Sequence, residues 1–466
     1  MKPAGLALSA GLLLAGCDLA PKYHTPVVAT PVAYREAAYW QPAAPADALP
    51  RGAWWHIYND PELNTLEARL NTTNPDIQLA AAEYDQSRAL AAEAAAGLLP
   101  SLGIGAHVTT NRQSAHRPLR GPNQPNQYLD NGIDTQATYE FDFWRKQANE
   151  VKAGQAAAAA SQADLQTTIL SLQAQLATAY VTLRGLDAQA DLLARTTQTY
   201  SQALTLTQNR LAGHIASGID VARAATQLDD AQAQDSDIHA RRALALHAIA
   251  TLIGIPPAML TVEPSAAPLN PPPLDAGMPA SLLQRRPDIA SAERLVAAAN
   301  AEIGVAKAAF YPNISLNAVL GLQDTGFNLF NMPDSFWTVG PGLTLPLFEG
   351  GLRHAEENAA IAVYRRAVAA YKATVVDAFG EVEDQLALLH WLGEEETQEN
   401  AAVSDARQAL SMSLALYTDG ATSFLDVVTA QTAELQAERT ALDIHTRRVN
   451  ASIALVRALG GGWRKE

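Results

Sequence analysis

The chain is written twice. Asn74-Pro75-Asp76-Ile77 recurs as Arg286-Pro287-Asp288-Ile289, and Leu99-Pro100-Ser101-Leu102 recurs as Tyr311-Pro312-Asn313-Ile314. The separation is the same at both ends, so these segments align without a gap. Further on, Gly213 to Asp220-Val221 matches Gly420 to Asp426-Val427 with one residue of slippage. Between the copies runs a proline-rich connector, residues 256–280, holding Pro271-Pro272-Pro273, a composition that favours extended chain over helix. Whatever one copy folds into, the other must fold into as well. The organisation read from this is residues 62–255 as repeat 1 and 281–460 as repeat 2. An N-terminal extension at 17–61 precedes them and a short tail at 461–466 follows.

Each copy carries helices too long for a globule. From Asn149 to Asn209 there is no proline. Ile169, Leu172, Leu176, Ala179, Leu183, Leu186, Ala190, Leu193, Thr197, Tyr200, Leu204, Thr207 and Leu211 recur in alternating steps of three and four, the seam of a coiled coil. Such a helix spans about 90 Å. The segment from about Leu352 to Leu416 is its counterpart. Each turns at a Gly-containing tip, near 210–220 and near 417–426, and returns along 220–253 or 425–459. Shorter helices at 76–97 and 288–309 open on Pro75 and Pro287, where a missing N–H costs nothing. A returning helix stacked end to end with a shorter one equals one long helix. Twelve such columns are expected from three chains. Runs of alanine such as 156–160 let helices approach closely.

After Pro100 and Pro312 the period changes from helical to two. Ile133, Ala137, Tyr139, Phe141 and Phe143 alternate with Asp134, Gln136, Thr138, Glu140 and Asp142 over 132–143; over 336–348 Trp337, Val339, Leu343, Leu345 and Leu347 lie on one face, with Thr338 and Thr344 on the other. Residues 101–112 and 313–323 alternate more weakly. These lengths suit tilted membrane strands. Tyr139, Phe143, Trp144, Trp337 and Phe348, near the strand ends, are candidates for an interfacial aromatic girdle. Polar loops at 113–131 and 324–335 join the pairs. A soluble sandwich edge shows the same alternation, but it needs a cover that this chain, otherwise long helices, does not offer. Four strands cannot close a barrel. Eight close one that side chains fill, and twelve leave a lumen. A pore therefore predicts a homotrimer.

The N-terminus sets the compartment. Met1-Lys2, an apolar run from Ala4 to Ala15 and Gly16 form a secretory signal at 1–16. The chain's only cysteine, Cys17, follows Leu14-Ala15-Gly16, an ending that resembles a bacterial lipobox. That resemblance implies a lipid on Cys17, which would tether the chain without spanning a membrane. An ordinary signal with an incidental cysteine is the alternative, and Asp18 is of a kind that can retain lipoproteins in the inner membrane. No later stretch approaches 18 consecutive apolar residues, so any membrane crossing must be a closed β-barrel. The formal net charge of −15 leaves nothing to neutralise phosphates, so nucleic-acid partners are excluded.

Several segments together resemble the TolC-like outer membrane factors, in the lipoprotein branch serving RND-type multidrug efflux. They are Pro21-Lys22-Tyr23-His24-Thr25-Pro26, Trp54-Trp55 through Asp60-Pro61-Glu62-Leu63, and Leu283-Gln284-Arg285-Arg286-Pro287-Asp288-Ile289. With them go Gly304-Val305-Ala306-Lys307-Ala308-Ala309-Phe310-Tyr311-Pro312 and Leu345-Pro346-Leu347-Phe348-Glu349-Gly350-Gly351. The resemblance covers nearly the whole chain. It implies a mixed, mainly α fold: a long α-helical periplasmic barrel of coiled-coil type, with four membrane β-strands per chain contributing to a 12-stranded trimeric β-barrel. It also implies an exit duct in the outer membrane, docking to a periplasmic adaptor and an inner-membrane RND-type pump. By the same resemblance Tyr417 matches a latch tyrosine and Leu425 an apolar constriction of the periplasmic gate. Such proteins often carry an aspartate one turn after that leucine, where this chain has Thr429, with Asp426 nearby. Asp426 is then either an acidic ring residue or a helix cap, and Leu425 either constriction or helix core. Arg210, Gly213, Ser217, Gly218, Gly420 and Ser423 are the tip residues expected to meet the adaptor, unless the glycines only permit the turns.

Enzymatic function is not indicated. The ten histidines show no His-x-x-x-His pair, His354-Ala355-Glu356-Glu357-Asn358 lacks a second histidine, and no phosphate-binding glycine loop is present. His107 and His116 read as solvated residues. No metal and no cofactor beyond the lipid on Cys17 is expected. A duct for type I protein secretion, and a lipid-anchored helical scaffold without a pore, are the competing readings.

Overall fold

The computed structural model describes residues 18–36, 52–118, 121–272, 285–326 and 331–461. The signal segment 1–16, Cys17, the end of the connector and residues 462–466 lie outside them. The chain is mainly α-helical with one four-stranded sheet. In order it runs α1 (Pro61–Thr73), α2 (Pro75–Ala96), β1 (Ser101–Arg112), β2 (Gln127–Glu140), α3 (Lys146–Ala212) and α4 (Gly218–Leu252). The second half runs α5 (Pro287–Ala308), β3 (Asn313–Asp324), β4 (Ser335–Thr344), α6 (Leu352–Thr418) and α7 (Phe424–Ala458). The copies match residue for residue in helix length: α3 and α6 have 67 residues, α4 and α7 have 35, α2 and α5 have 22. At ~1.5 Å per residue α3 and α6 are each about 100 Å long.

The chain divides into two units. One holds the described residues up to Val27, with Glu83–Gln162 and Ser291–Lys372. Its sheet is an antiparallel meander, β1-β2-β3-β4. Two strands depart from the limits expected at 132–143 and 336–348. β2 begins earlier, because residues 127–131 pair with 108–112. Ladder pairing asks for N–H and C=O groups, not apolar side chains, so a polar stretch extends a strand wherever its neighbour continues. β2 ends earlier because Asp142 turns to cap α3, its carboxylate accepting from the N–H groups of Gln147 (3.1 Å) and Ala148 (2.7 Å). β4 ends at Thr344, opposite Asn313, the first residue of β3. Beyond it the chain has no strand to pair with, and Pro346 has no N–H to offer.

Residues 18–25 form an extended strap along α5 in the same unit. Ala20 packs against Gly304, where an added Cβ would come within 2.7 Å. Asn300 Nδ2 donates to the Pro21 carbonyl at 2.8 Å, and the Tyr23 hydroxyl donates to the Glu293 carboxylate. Asp18 accepts from Lys152 Nζ (2.6 Å) and Asn149 Nδ2 (3.0 Å).

The second unit holds Val28–Ala82, Ala163–Ala290 and the chain from Ala373. Its core joins Trp54, Trp55, Tyr58, Leu63, Leu66 and Leu70 to Leu176, Tyr180 and Leu183 of the heptad seam and to Ile249, Leu386 and Leu455. The returning helices α4 and α7 end in the same left-handed cap, with Gly254 at φ 71° and Gly460 at φ 87°. A Cβ on Gly254 would stand 2.5 Å from the Thr73 carbonyl, so glycine is required there for space as well as for conformation. Asn74 bonds the Leu252 carbonyl at 2.6 Å while capping α2, and Arg286 bonds the Ala458 carbonyl at 3.1 Å while pairing with Asp288 at the start of α5. Different side chains thus splice the end of a returning helix to the start of a shorter one.

The described part of the connector, residues 256–272, is fastened rather than loose. Asp187, buried on α3, accepts from Arg184 (3.0 Å), Arg242 (2.6 Å) and the Ser265 N–H (3.0 Å). The same arginines donate to the Glu263 and Val262 carbonyls at 2.7 and 2.9 Å.

Candidate functional site

The sheet is amphipathic across its whole width. Antiparallel pairing sets Ile104 beside Thr135, Thr135 beside Leu320 and Leu320 beside Trp337. Following that register, one face collects Leu102, Ile104, Val108, Ile133, Leu316, Leu320, Trp337, Val339 and Leu343. Few of these are covered: Leu102 is 75 % exposed, Trp337 71 % and Leu343 67 %. The other face carries His107, Asp130, Asp134, Gln136, Asn317 and Gln323. Here Gln323 Nε2 donates to Asp130 Oδ1 at 2.8 Å, and His107 Nε2 lies 3.5 Å from the same oxygen, so His107 has a partner rather than water alone. Apolar side chains left to solvent on this scale have no place on a water-facing surface. A sheet apolar on one face and polar on the other is what a barrel wall between lipid and an aqueous lumen requires. β1 and β4 each have one strand neighbour among the described residues, so both edges of the sheet are open. No described helix is long and apolar enough to cross a membrane.

The five aromatic residues divide between the ends of the strands. Tyr139 meets Phe141 at 5.0 Å between ring centres, and Phe141 meets Phe143 at 5.8 Å, where β2 runs out. Trp144 stacks on Tyr311 at 4.5 Å and donates Nε1–H to the Pro312 carbonyl at 2.9 Å. Phe348 is exposed just past β4, while Trp337 stands near that strand's other end.

In the second unit the two hairpin tips are built alike. At each, the long helix closes with a residue in the left-handed region, and a Ser-x-x-Asp capping box starts the return. The left-handed residue is Gly420 (φ 77°) at the second tip but His214 (φ 57°), not Gly213, at the first. His214 therefore pairs with Gly420, Ser217 with Ser423 and Asp220 with Asp426, and the one-residue slippage read between the tips disappears. Gly218 opens α4, with nothing within 4 Å of the place a Cβ would occupy.

Asp426 is a cap. Its carboxylate accepts from the Ser423 N–H (3.3 Å) and hydroxyl (3.2 Å) and from the Thr422 hydroxyl. The Thr422 bond first, then those from Ser423, hold its pKa below the usual carboxylate value. Leu425 is 47 % exposed beside it, and the Thr429 hydroxyl is turned back onto the Leu425 carbonyl at 2.9 Å. Tyr417 is buried in a cluster with Ala203, Ala224, Leu410, Phe424 and Val427, drawn from all four tip helices. Arg210 is half-exposed and is also engaged within the chain. Its guanidinium lies over the Tyr417 ring at 4.7 Å and donates to the Thr418 carbonyl at 3.1 Å. Sequence reading missed this pairing and the role of Phe424. The visible signal was Arg210 in the last turn of a helix, where cations cap carbonyls, though not of which helix.

An uncovered amphipathic sheet and paired, capped helical tips define a channel-forming outer-membrane protein. The family model described as outer membrane efflux protein matches residues 67–255 and 278–461. The chain belongs to that family. It is 30% identical over 467 residues to the pyoverdine export outer membrane protein OpmQ of Pseudomonas aeruginosa, covering 98% of this chain and 97% of that one. It is likewise 30% identical over 484 residues to the solvent efflux pump outer membrane protein SrpC of Pseudomonas putida, covering 99% of each. Among solved structures, the outer-membrane channel OprN superposes with a TM-score of 0.87 at 28% identity, covering 96% of this chain and 100% of that one. The protein is an outer-membrane efflux channel with a periplasmic helical part.

Proposed function

We propose that three copies of the chain close a twelve-stranded barrel through the open edges of β1 and β4, forming the exit duct of a tripartite efflux system. The observation that carries this is the sheet: four strands with two free edges, one face apolar and exposed, the other lined with carboxylates and amides. The duct is passive. It receives substrate from an RND-type inner-membrane pump through a periplasmic adaptor, and the energy comes from the pump. Relatives named for pyoverdine export and for solvent efflux support small molecules rather than proteins as cargo.

The finer assignments belong to the same reading. A lipid on Cys17 tethers the mature chain to the membrane. Leu425, exposed at the second tip, is the apolar constriction of the gate, with Tyr417 the buried ring behind it. Asp426 presents its carboxylate beside Leu425 as a cap, and Thr429 supplies no charge. Arg210, Gly213, Ser217, Gly218, Gly420 and Ser423 form the docking surface for the adaptor. Tyr139, Phe143, Trp144, Trp337 and Phe348 mark the membrane interfaces.

The test is the mass of the detergent-solubilised complex together with single-channel conductance in planar bilayers. Three chains per particle and discrete conductance steps are expected. A monomer, or inserted protein that passes no current, would overturn the duct in favour of an anchored scaffold.

A further inference from the structure

The polar face of the sheet carries its large side chains lying down. In a strand a side chain ordinarily stands about perpendicular to the sheet. Antiparallel register places His107 of β1 beside Gly132 of β2, and Phe336 of β4 beside Gly321 of β3. Each ring lies over the neighbouring glycine. A Cβ on Gly132 would meet His107 Cε1 at 2.5 Å and Nε2 at 2.9 Å, and a Cβ on Gly321 would meet two carbons of the Phe336 ring at 2.6 Å. No other residue could stand at either position with the ring where it is. The Asp134 carboxylate leans the same way, 3.3 Å from the place of a Cβ on Gly105.

The open place at Gly132 lets side chains from both neighbouring strands reach across β2. From one side Gln323 Nε2 donates to Asp130 Oδ1 at 2.8 Å, and from the other His107 Nε2 lies 3.5 Å from the same oxygen. Gln136 Nε2 likewise donates to Asp134 Oδ2 at 3.0 Å. These polar groups bond along the wall instead of reaching away from it. For Phe336, lying down also takes one side of an apolar ring out of water. Glycine inside a strand has no side chain to pack and weakens it, and a ring laid on it offsets part of that loss. Three copies would bring three such pairs of rings to the inside of a twelve-stranded barrel, which has a lumen only where inward side chains leave it clear.

We propose that Gly132 and Gly321 set the bore of the duct: they let His107 and Phe336 lie flat against the lumenal wall, so that the barrel sorts cargo by width rather than by binding it. This rests on the barrel reading above and adds to it the residues that limit the size of what passes. Gly132 is the cleaner of the two to test. The three atoms nearest to a Cβ there all belong to the His107 ring, the free end of a side chain that can swing into the lumen, whereas a Cβ on Gly321 would also meet the Ile133 carbonyl at 2.8 Å.

The test uses the full-length protein in the outer membrane of intact cells, with Gln136→Cys as reporter. Gln136 is exposed on the same face, two inward positions beyond Gly132 along β2, so a reagent entering at the end where β1 turns into β2 must pass the rings to reach it. Maleimide-polyethylene glycols of graded size are added outside, with protein lacking the added cysteine as the blank. Gly132→Ala should lose labelling by the largest polymer that enters the wild-type barrel, because the methyl group lifts the ring into the bore. His107→Ala should keep the wild-type limit, because the ring already lies out of the way, and Gly132→Ala combined with His107→Ala should regain that limit. An unchanged limit in Gly132→Ala overturns the proposal while the duct stands. So does a limit that stays low in the double variant, since the methyl group would then have disturbed the strand and not the ring. A raised limit in His107→Ala alone means that the ring stands in the bore, and overturns the proposal whether or not Gly132→Ala folds. If even the smallest maleimide fails to reach Gln136→Cys in inserted protein, this face is not lumenal, and the barrel reading fails together with the proposal.

Discussion

Glu67 should make this protein less stable as the pH rises, and replacing it with methionine should remove that dependence. The residue lies on α1, 0 % exposed, with neither carboxylate oxygen hydrogen-bonded. Its neighbours on the helix, Leu63, Leu66 and Leu70, are core residues. Burial alone pushes its pKa up from 4.5 to about 9. The folded state therefore holds a proton that the unfolded state releases. The stability associated with Glu67 is fully present below 4.5, falls as pH rises and is lost through about 9. At pH 7 the unfolded chain has gained about 2.5 pH units of ionisation free energy, roughly 3 kcal/mol at ~1.4 kcal/mol per unit. Glu67→Met matches the side chain in length and flexibility and leaves no polar atom unpaired. Against wild type it should melt at nearly the same temperature at pH 4.5 and a few degrees higher at pH 7, the gap widening towards pH 9. Glu67→Gln should fall between, because a buried amide without partners costs about 1–3 kcal/mol. The assay is thermal unfolding of the detergent-solubilised protein across that range. Parallel curves for wild type and Glu67→Met at every pH would show that the carboxylate is ionised and solvated or paired, and the reasoning would fail.

Other outcomes follow from other sites. Asp187→Asn removes the charge shared by Arg184 and Arg242 and leaves two poorly exposed cations uncompensated. It should cost about 3–5 kcal/mol and expose residues 256–272 to limited proteolysis. His214→Gly relieves a side chain held at φ 57° and should raise stability by about 1 kcal/mol, read as a higher melting temperature without change in conductance. Leu320→Arg places a cation on the exposed apolar face of β3 and should cost about 2–4 kcal/mol per chain if that face meets lipid; it is checked by the yield of membrane-inserted protein. Unchanged insertion would mean that this face meets something other than hydrocarbon.

What the sequence determined by itself is what depends on near neighbours. Pro75 and Pro287 start helices because the first turn has N–H groups to spare. Period-two patterning after Pro100 and Pro312 makes strands, and the heptad seam from Ile169 onward runs into a buried stripe through Leu172, Leu176, Leu183 and Leu193. The proposal of three copies also starts there, since four strands cannot close a barrel. What the tertiary structure decided is choice of partner. The start of β2 and the end of β4 were set by where β1 and β3 continue or stop, not by their own alternation. Arg210 chose the end of a different helix, about two hundred residues along the chain, and the tip register emerged only when His214 proved to be the left-handed residue. Asp187 and Glu67 read alike in sequence, as acids on helices. Asp187 has Arg184 three residues before it on the same helix, a pair the sequence shows, but Arg242 reaches it from α4 and Glu67 has no partner at all, because a buried charge's fate depends on the groups that packing brings within about 4 Å of it.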